Sequence, residues 1–360
     1  MIKDKIKVSH PGVYVKDAIE ALELNQSEFA LRVGMTTKNV STLVNGESNI
    51  TFEVAQKLAD FFGNSVEGWI NLQTKYDIYK NAEKEELGYS KDWEIVKYFD
   101  KEFLMTCLNV EFDSKNQKGI VDIMRKAFNV TRLNNLKEPD MYAFCKTSTL
   151  KDCDEKSIIL RNAWISLAEQ KARNIDCGVF NKQIILNNLK ELRALTRLDP
   201  KESMPKLNRI LNSAGIKLVI LPYLKGSNVS GVTKWIGSQS CELIAINDCG
   251  KDAGRIWFTI FHEIGHAIQN NKRHLTISYE KDEIIDKDEL AANEFAKQAL
   301  INQRDYERFI NCGKFDLFSI KEFAEEQNVA EFIVVGRLQK EKYIEYAQFS
   351  NLRKRYMVSI

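Results

Sequence analysis

The chain has 360 residues, of which 44% are hydrophobic and 28% charged, and this length predicts two or three globular domains. Its 17 glycines and 5 prolines exclude a collagen-like or low-complexity chain. With 52 basic against 50 acidic residues the net charge is +2, so any contact with DNA must come from a local surface rather than from the field of the whole molecule.

The seven cysteines are scattered, and no two lie at C-x-x-C spacing. A disulfide framework or a cysteine zinc knuckle is therefore not expected, and reduced thiols are the simpler interpretation. The first residues lack an apolar core of signal-peptide length, and no window reaches about 18 uninterrupted apolar residues. We expect a cytoplasmic protein with no membrane partner.

Residues 1–80 predict five short helices separated by small polar turns. Side chains that can accept a hydrogen bond from a helix N-terminus precede several of them, and glycines follow where a left-handed residue is wanted. The expected helices are Val13–Leu22 after the start signal His10–Pro11–Gly12, one between Asn25 and Gly34, one between Thr36 and Asn45–Gly46, Thr51–Phe62, and Ser65 to about Lys75.

The second and third of these helices have the pattern of a helix-turn-helix. Ala30 is small where the two helices must approach each other, and Gly34 follows four residues later, where the turn needs a left-handed residue. Val40 and Leu43 would face inward, which leaves short polar side chains facing outward, suited to base edges and phosphates. The predicted DNA-contacting residues are Gln26, Thr36, Thr37, Lys38, Asn39, Ser41, Thr42 and Asn45.

A helical domain that binds protein is the alternative for this segment. Residues 1–80 carry nine basic and ten acidic residues, a net charge of −1, so a single copy would bind DNA phosphates weakly. Dimerisation on a palindromic site would compensate for that weakness.

Residues 10–77 carry further motifs around this pattern: the His-Pro-Gly start, the turn, Val44-Asn45-Gly46 after the third helix, and W-x-N-L-Q-x-x-Y over Trp69–Tyr76. With these motifs the segment resembles the HigA-type antitoxins of the XRE repressor superfamily. The resemblance implies a homodimeric domain that binds a double-stranded DNA operator, in a repressor or an antitoxin with a cognate toxin as partner.

Residues 81–200 predict a mostly helical region without a catalytic constellation. Its role stays open between dimerisation, sensing and docking. Leu198-Asp199-Pro200 is a plausible boundary, and the predicted domains are 1–80, 81–200 and 201–360. The clearest helices of the middle region are Asp92–Cys107, Lys118–Phe128, Ile158–Arg173 and Asn181–Leu198.

Residues 201–360 change to an α+β pattern, in which a small sheet carries packed helices. Glycine and serine turns separate the strand-like runs, and a charged loop, Asn270–Asp286, separates two helices. The expected elements are a helix over Pro205–Ser213, strands over Ile216–Leu224, Val232–Gly237 and Cys241–Asn247, and helices over Gly254–Gln269, Lys287–Ile301, Ile320–Gln327 and Glu331–Lys342.

The helix over Gly254–Gln269 contains the run FHEIGH. His262 and His266 lie four residues apart, so on a helix both imidazoles face one side and can reach one ion. Glu263 lies beside them and can serve a bound water as general base. Isoleucines four residues apart over Ile256–Ile268 form an apolar stripe about half a turn away from the histidines. The pattern predicts a metal site; two structural, hydrogen-bonded histidines are the alternative.

Zinc in a catalytic site usually takes three protein ligands and leaves a fourth position for water. No third histidine follows at the metzincin spacing, and His274 is expected at the surface. Carboxylates are the better source of the third ligand. Glu289 and Glu294 are five residues apart on one helix, so at most one of them can point at the site. The open candidates are Glu280, Asp282, Glu283, Asp286, Asp288, Glu289 and Glu294.

The segment from about Leu221 contains SGVTKWIG, LIAIND, RIWFTIFHEIGHAI, ELAANEFAKQALI and VVGRLQK, and with these runs it resembles the ImmA/IrrE-type metallopeptidases. The family pattern E-x-x-A-N-x-F-A begins at Glu289, so the resemblance implies that Glu289 is the third ligand. One departure is Leu300-Ile301-Asn302, where the family often has L-M-P. The overall fold class is thus mainly α with a small α+β part: a five-helix helix-turn-helix domain, a helical middle region and a zincin-like domain.

The resemblance implies that Zn²⁺ is held by His262, His266 and Glu289 and that Glu263 activates water for attack on a peptide carbonyl of a regulatory protein. Asn293 is a candidate to orient a ligand, with helix capping or packing as the alternative. The strand Cys241–Asn247 could be an edge strand that aligns the substrate chain. Arg337 and Tyr279 are weak candidates for the oxyanion partner.

Two functions remain open at this point. One is a DNA-binding regulator of antitoxin type that carries a zinc endopeptidase. The other is a non-catalytic repressor or antitoxin whose peptidase-like domain senses a signal or docks a partner.

Overall fold

The computed structural model of the chain describes residues 8–111, 113–142, 154–236, 240–269, 275–279 and 287–356. The α-helices in them are α1 Pro11–Ala21, α2 Gln26–Val33, α3 Thr37–Val44, α4 Phe52–Phe62, α5 Val66–Val96, α6 Lys101–Leu108, α7 Gln117–Ala127, α8 Glu155–Ala172, α9 Lys182–Asn187, α10 Leu189–Ala194, α11 Pro200–Ser213, α12 Ala253–Gln269, α13 Lys287–Leu300, α14 Gln303–Cys312, α15 Leu317–Glu326 and α16 Glu331–Lys340. The strands are β1 Ile216–Leu221, β2 Val229–Ile236, β3 Cys241–Asn247 and β4 Thr276–Tyr279. The predicted fold class is confirmed.

The chain divides into two compact units, Met1–Lys91 and Asp92–Ile360, and each has its own apolar core. Helix α5 continues beyond its predicted end near Lys75, because residues 76–96 contain no proline and are rich in strong helix formers. The division into domains at residues 80 and 200 stays a prediction. Among the described helices, none combines the length and the apolar character needed to cross a membrane.

In the N-terminal unit, the predicted start and stop signals act as expected. The side chain of Asn25 accepts a hydrogen bond from the amide of Glu28 at 2.9 Å and caps α2. Gly34 ends α2 with a φ of 67°, the left-handed conformation that glycine adopts at little cost. Thr36 Oγ1 then accepts a hydrogen bond from the amide of Asn39 at 3.1 Å and caps α3. These local bonds fix where α2 ends and α3 begins in the helix-turn-helix.

The His-Pro-Gly start of α1 is a packing device as well as a cap. His10 Nδ1 accepts a hydrogen bond from the amide of Gly12 at 3.0 Å. A Cβ at Gly12 would lie 1.8 Å from the carbonyl oxygen of Leu43, so only glycine lets α1 approach the end of α3 this closely. At the other side of the core, Gln73 Oε1 accepts a hydrogen bond from the amide of Ile50 at 2.9 Å, which gives the W-x-N-L-Q run a structural role.

The four strands form one mixed sheet in the order β1-β3-β2-β4. β3 is parallel to β1 and antiparallel to β2, and β2 is antiparallel to β4. All seven residues of β3 are buried, since it has a strand on each side. The expectation that Cys241–Asn247 forms an edge strand is therefore wrong: its centre, residues 243–246, is continuously apolar, as is typical of an interior strand. The outer position beside β2 belongs to β4, which lies within the predicted charged loop.

Helix α12 packs on the sheet through its isoleucine stripe, and α13 packs against α12. A Cβ at Gly265 would lie 3.0 Å from the Cα of Ala292, so glycine at this position lets the two helices approach each other closely. Helix α8 also reaches the sheet region, where Trp164 Nε1 donates a hydrogen bond to the carbonyl of Pro222 at 3.2 Å. The buried surfaces of α12 and α13 are thus fixed relative to β2 and β4.

Two helical predictions needed correction, and one helix was missed. The run Asp92–Cys107 is split into the end of α5 and α6, because the Asp100 side chain accepts hydrogen bonds from the amides of Glu102 and Phe103 and starts a new helix. The run Asn181–Leu198 is likewise broken at Asn188, where α9 ends and α10 begins. Helix α14 was not predicted.

Candidate metal centre and nucleic-acid interface

Helices α12 and α13 bring the three predicted metal ligands together. The Nε2 atoms of His262 and His266 lie 3.0 Å apart. Glu289 reaches both: its Oε2 lies 3.2 Å from Nε2 of His262 and its Oε1 lies 3.1 Å from Nε2 of His266. Both histidines are 6% exposed. Among the described residues, these three form a group that could hold a metal ion.

The geometry and charge of this cluster suit a single cation. Zinc takes imidazole nitrogen and carboxylate oxygen, and donor atoms in a tetrahedral zinc site lie about 3.3 Å apart, close to the separations found here. Burial would raise the pKa of Glu289, but hydrogen bonds from His262 and His266 lower it to about 2. Burial would lower the pKa of His262, but its hydrogen bond to Glu289 and the charge of Glu263 raise it above its ordinary value. The cluster therefore stabilises the ionised Glu289 carboxylate and a positive charge next to it.

Asn293 lies behind the first histidine, one helical turn after Glu289. Its Oδ1 is 3.1 Å from Nδ1 of His262. Because the amide oxygen is an acceptor, it would pair with a hydrogen on Nδ1, and this tautomer would leave the lone pair of Nε2 for a metal ion. The structure thus places Asn293 where an orienting partner of His262 would be.

Glu263 is fully buried and faces β2. Thr233 Oγ1 donates a hydrogen bond to Glu263 Oε2 at 2.7 Å. A Cβ at Gly231 would lie 2.2 Å from Glu263 Oε1, so the glycine makes room for the carboxylate. Oε1 itself has no hydrogen-bond partner among the described residues. The run SGVTKWIG therefore supports Glu263, a role that sequence reasoning did not assign to Gly231 or Thr233.

A further polar group at the cluster was also missed. Ser278, on β4, is buried, and its Oγ lies 3.2 Å from Nε2 of His262. The serine falls in the segment that was expected to be a loop, where a single serine gives no signal. Its nearness to His262 depends on the pairing of β4 with β2.

Other predicted candidates lie elsewhere. Glu294 is exposed on α13 and points away from the site, as its five-residue offset from Glu289 predicts. Its side chain accepts a hydrogen bond from Gln298. Arg337 stacks 3.6 Å from the ring centroid of Tyr306 and bonds to Glu341, so its contacts are structural. Asp288 lies in the first turn of α13, outside the group of residues that could hold a metal ion. The other candidates lie outside the described residues, by position or, for Tyr279, by side chain: His274, Tyr279, Glu280, Asp282, Glu283 and Asp286.

The predicted DNA-reading side chains lie around α3. Val40 and Leu43 are buried as expected, and the residues at the start of the helix face outward. The Thr36 hydroxyl is used as the cap, and Thr42 Oγ1 donates to the carbonyl of Asn39 at 3.1 Å, so these two side chains already have partners in the domain. Exposed side chains are those of Thr36, Thr37, Lys38, Asn39 and Asn45, and partly exposed ones are those of Gln26, Ser41 and Thr42.

Comparison with known proteins assigns both parts of the chain. Residues 15–69 match the family model described as Helix-turn-helix, and residues 211–339 match the one described as IrrE N-terminal-like domain. The chain belongs to the helix-turn-helix family and carries an IrrE-like domain. Both resemblances inferred from the sequence motifs are thereby confirmed. Within the IrrE-like match lie all four residues of the candidate centre, Glu263 included.

The curated relatives match the helix-turn-helix part. Virulence-associated protein A' of Dichelobacter nodosus is 36% identical over 76 residues, which are 21% of this chain and 66% of that protein. An HTH-type transcriptional regulator of Haemophilus influenzae is 38% identical over 64 residues, 18% of this chain and 60% of that protein. The chain thus spans somewhat under two thirds of these first relatives. The HTH-type transcriptional regulator YbaQ of Escherichia coli K12 is 32% identical over 87 residues, 23% of this chain and 77% of that protein.

Two solved structures also align with about a quarter of the chain. One is described as an antidote protein of a plasmid maintenance system from Nostoc punctiforme, at 28% identity and a TM-score of 0.24, with 24% of this chain and 94% of that chain covered. The other is an addiction module antidote protein of a HigA family from Coxiella burnetii, at 31% identity and a TM-score of 0.23, with 24% and 95% covered.

Proposed function

We propose that the chain is a DNA-binding regulator of antitoxin type whose IrrE-like domain is a zinc-dependent endopeptidase acting on a regulatory protein. The observation that carries the catalytic part is the buried cluster of His262, His266 and Glu289 with Glu263 beside it. A purely structural pair of histidines would not need a carboxylate at each Nε2 atom and a second buried carboxylate one residue away.

The residues of the candidate centre have different proposed roles. His262, His266 and Glu289 hold the metal, and Asn293 keeps His262 in the tautomer that can bind it. Bound zinc supplies a Lewis acid and a water of lowered pKa. Glu263 would accept the proton of the attacking water at Oε1, because Thr233 already donates a hydrogen bond to Oε2. The same carboxyl then returns the proton to the leaving amine.

The substrate is proposed to be an extended segment of a protein. β4 borders the cluster through Ser278 and is the outermost strand beside β2 in the part of the sheet that the structure describes. The outer edge of such a strand can pair with an extended chain by main-chain hydrogen bonds. The low exposure of both histidines fits a narrow substrate range rather than general proteolysis.

The DNA-binding part rests on the exposed face at the start of α3. Its side chains are short and polar, with one cation, Lys38. The net charge of −1 over residues 1–80 gives little attraction to phosphates, so we propose that two copies bind a palindromic operator. The HTH-type regulators among the relatives support this assignment.

The decisive experiment is the metal content of the full-length chain by mass spectrometry, with wild type beside Glu289→Ala. We expect about one zinc per chain in wild type, and a loss of affinity in the variant larger than the roughly 10–100-fold that follows removal of an outer partner. Glu294→Ala is the matched control: it removes an exposed carboxylate from the same helix and should leave the zinc content unchanged.

If the wild type holds no metal even after zinc is supplied, the endopeptidase proposal fails. The second candidate, a regulator whose IrrE-like domain docks a partner, would then stand; the near-complete burial of the cluster is the observation that favours it. If zinc is present, Glu263→Gln should retain it and trap the uncleaved protein substrate, because only the base is lost.

A further inference from the structure

The strand β4 brings a hydroxyl group into the candidate metal centre. Nε2 of His262 lies within 3.2 Å of three polar atoms: Nε2 of His266, Oε2 of Glu289 and Oγ of Ser278. The first two belong to the proposed metal ligands. Ser278 has no place in that ligand set, yet it is 4% exposed and its hydroxyl points at the same nitrogen.

A β-bulge adjoins Ser278 in the sheet. Val229 pairs with Tyr279 and Gly231 pairs with Ser278, so Ser230 is an extra residue on β2. The hydroxyl of Ser230 donates to the carbonyl of Ser278 at 2.9 Å and ties the two strands together at this point. A bulge shifts the register and re-aims the side chains that follow it, and bulges are common beside active sites. Ser278 itself belongs to the regular part of the pairing, in register with the Ile277–Val232 and Thr276–Thr233 pairs.

The same pairing puts Ser278 next to the general base. Residues directly opposite each other in an antiparallel pair share one face of the sheet, so Ser278 and Gly231 face α12 together. Gly231 leaves the space that Glu263 Oε1 occupies, and that oxygen has no hydrogen-bond partner in the described part of the chain. A hydroxyl, a base and two histidines therefore surround one small volume.

The hydrogen-bond chemistry shows what the hydroxyl must do when a metal is held. The Oγ atom of Ser278 lies beside Nε2 of His262, the nitrogen that would bind a metal ion. With a metal ion held there, that nitrogen could no longer be the hydrogen-bond partner of the hydroxyl. The buried hydroxyl then needs another acceptor within the same volume, because a buried donor without a partner is costly.

We propose that Ser278 donates a hydrogen bond to the scissile carbonyl oxygen as negative charge develops on it, which makes Ser278 a catalytic residue of the IrrE-like domain. This inference rests on the proposed endopeptidase function. The serine keeps its proton throughout; the proton of the attacking water goes to Glu263. A donor placed where charge develops is the usual means of stabilising an oxyanion.

The test uses the full-length chain loaded with Co²⁺, whose visible spectrum reports its ligands, and acetohydroxamate as an anionic oxygen ligand. The variants are Ser278→Ala, which removes the donor, and Ser278→Thr, which keeps a hydroxyl. Ser230→Ala is the matched control: it removes a serine hydroxyl that bonds across the same bulge without approaching His262.

We expect equal cobalt stoichiometry and affinity in all four proteins. Acetohydroxamate should bind Ser278→Ala about tenfold or more weakly, since a hydrogen bond to a charged oxygen is lost. Ser278→Thr should recover most of that affinity, and Ser230→Ala should match wild type.

Three results would overturn the inference. Equal hydroxamate affinity in Ser278→Ala and wild type would remove the hydroxyl from the oxyanion site, while the endopeptidase proposal would stand. A loss of cobalt affinity in Ser278→Ala would make the serine a support of the metal ligands instead. A wild-type chain that binds no cobalt would end both proposals together.

Discussion

The helix-turn-helix domain and the IrrE-like domain are built over different distances along the chain. In the first, each side-chain cap at a helix N-terminus joins residues two or three positions apart, as in the bond from the amide of Glu28 to Asn25. In the second, His262 contacts groups 16 and 31 positions away, on β4 and α13. Local chemistry therefore sets where the N-terminal helices begin, whereas the candidate centre exists only after the sheet and two helices have assembled.

The two units also bury titratable groups of opposite kind. The IrrE-like domain buries the acid Glu242, and the helix-turn-helix domain buries the base His10. Burial disfavours the charged form of either, so the two units should lose stability in opposite pH directions. Each of the predictions below tests one side of this comparison.

The largest effect is expected from Glu242, at the start of β3. Burial raises its pKa from 4.5 to about 8, and its Oε2 has no hydrogen-bond partner among the described residues. Because the folded pKa exceeds the unfolded one, its stabilising contribution is complete below pH 4.5 and is lost as the pH rises through 8. The free energy of unfolding should fall by up to about 1.4 kcal/mol per pH unit across this window.

Denaturant unfolding at pH 5.5, 7 and 8.5, with amide exchange of β3 as the local probe, measures this slope. Glu242→Gln should flatten it, whereas the exposed Glu294→Gln should keep it. A wild-type stability that is constant over the range would contradict the assignment.

The next effect compares two glycines of the N-terminal unit. Gly12→Ala should destabilise it by about 3 kcal/mol, the upper end for overpacking, because the new Cβ would lie 1.8 Å from the backbone oxygen of Leu43. Gly34→Ala should cost only about 1 kcal/mol, since its left-handed backbone is strained by a side chain but open space surrounds it. Amide exchange of α1 and α3 gives both values, and equal costs would show that the contact at Leu43 relaxes.

The sequence predicted the local features of the fold well. Asn25, Gly34 and Thr36 have their expected positions because caps and left-handed turns depend on residues only a few positions apart. The apolar run Cys241–Asn247 predicted a strand but was assigned to the sheet edge. Strand order depends on which strands pair, and periodicity carries no information about that.

The residues of the candidate site likewise divide into those that the sequence predicted and those that depend on strand pairing. The spacing of His262 and His266 shows that one ion can reach both, because four residues make one helical turn. The family pattern then led to Glu289. Thr233, Gly231 and Ser278 were missed because their contacts with α12 arise from the β2–β4 pairing, and a lone threonine, glycine or serine has no distinctive spacing. Gly231, two residues before Thr233 in a predicted strand, was the sequence signal that could have indicated close packing against the HExxH helix.

A smaller effect is expected at the DNA-binding surface. Asn39→Ala or Thr37→Ala should weaken operator binding about tenfold, the lower range for loss of one base contact, and should leave the metal content unchanged. A gel shift at fixed salt measures this, with the exposed Asn71→Ala on α5 as the matched control. If Asn39→Ala binds as well as Asn71→Ala, the start of α3 does not read bases.

The smallest effect is expected from His10, whose contribution to stability depends on pH in the opposite direction to that of Glu242. Burial lowers the pKa of His10, Lys80 adds to this, and Asp77 opposes it. Nδ1 accepts the capping bond from Gly12, and protonation would turn this nitrogen into a donor. Because the folded pKa lies below 6.5, the stabilising contribution is present above pH 6.5 and is lost as the pH falls.

Between pH 7 and pH 5, the N-terminal unit should therefore lose stability, visible as faster amide exchange in α1 after correction for intrinsic rates. His10→Asn should abolish this loss, since asparagine can accept the same capping bond but does not titrate. The stability of β3 should move the other way over the same range, because Glu242 approaches its neutral form as the pH falls. If α1 and β3 respond in the same direction, burial of these two groups does not govern the pH response of the chain.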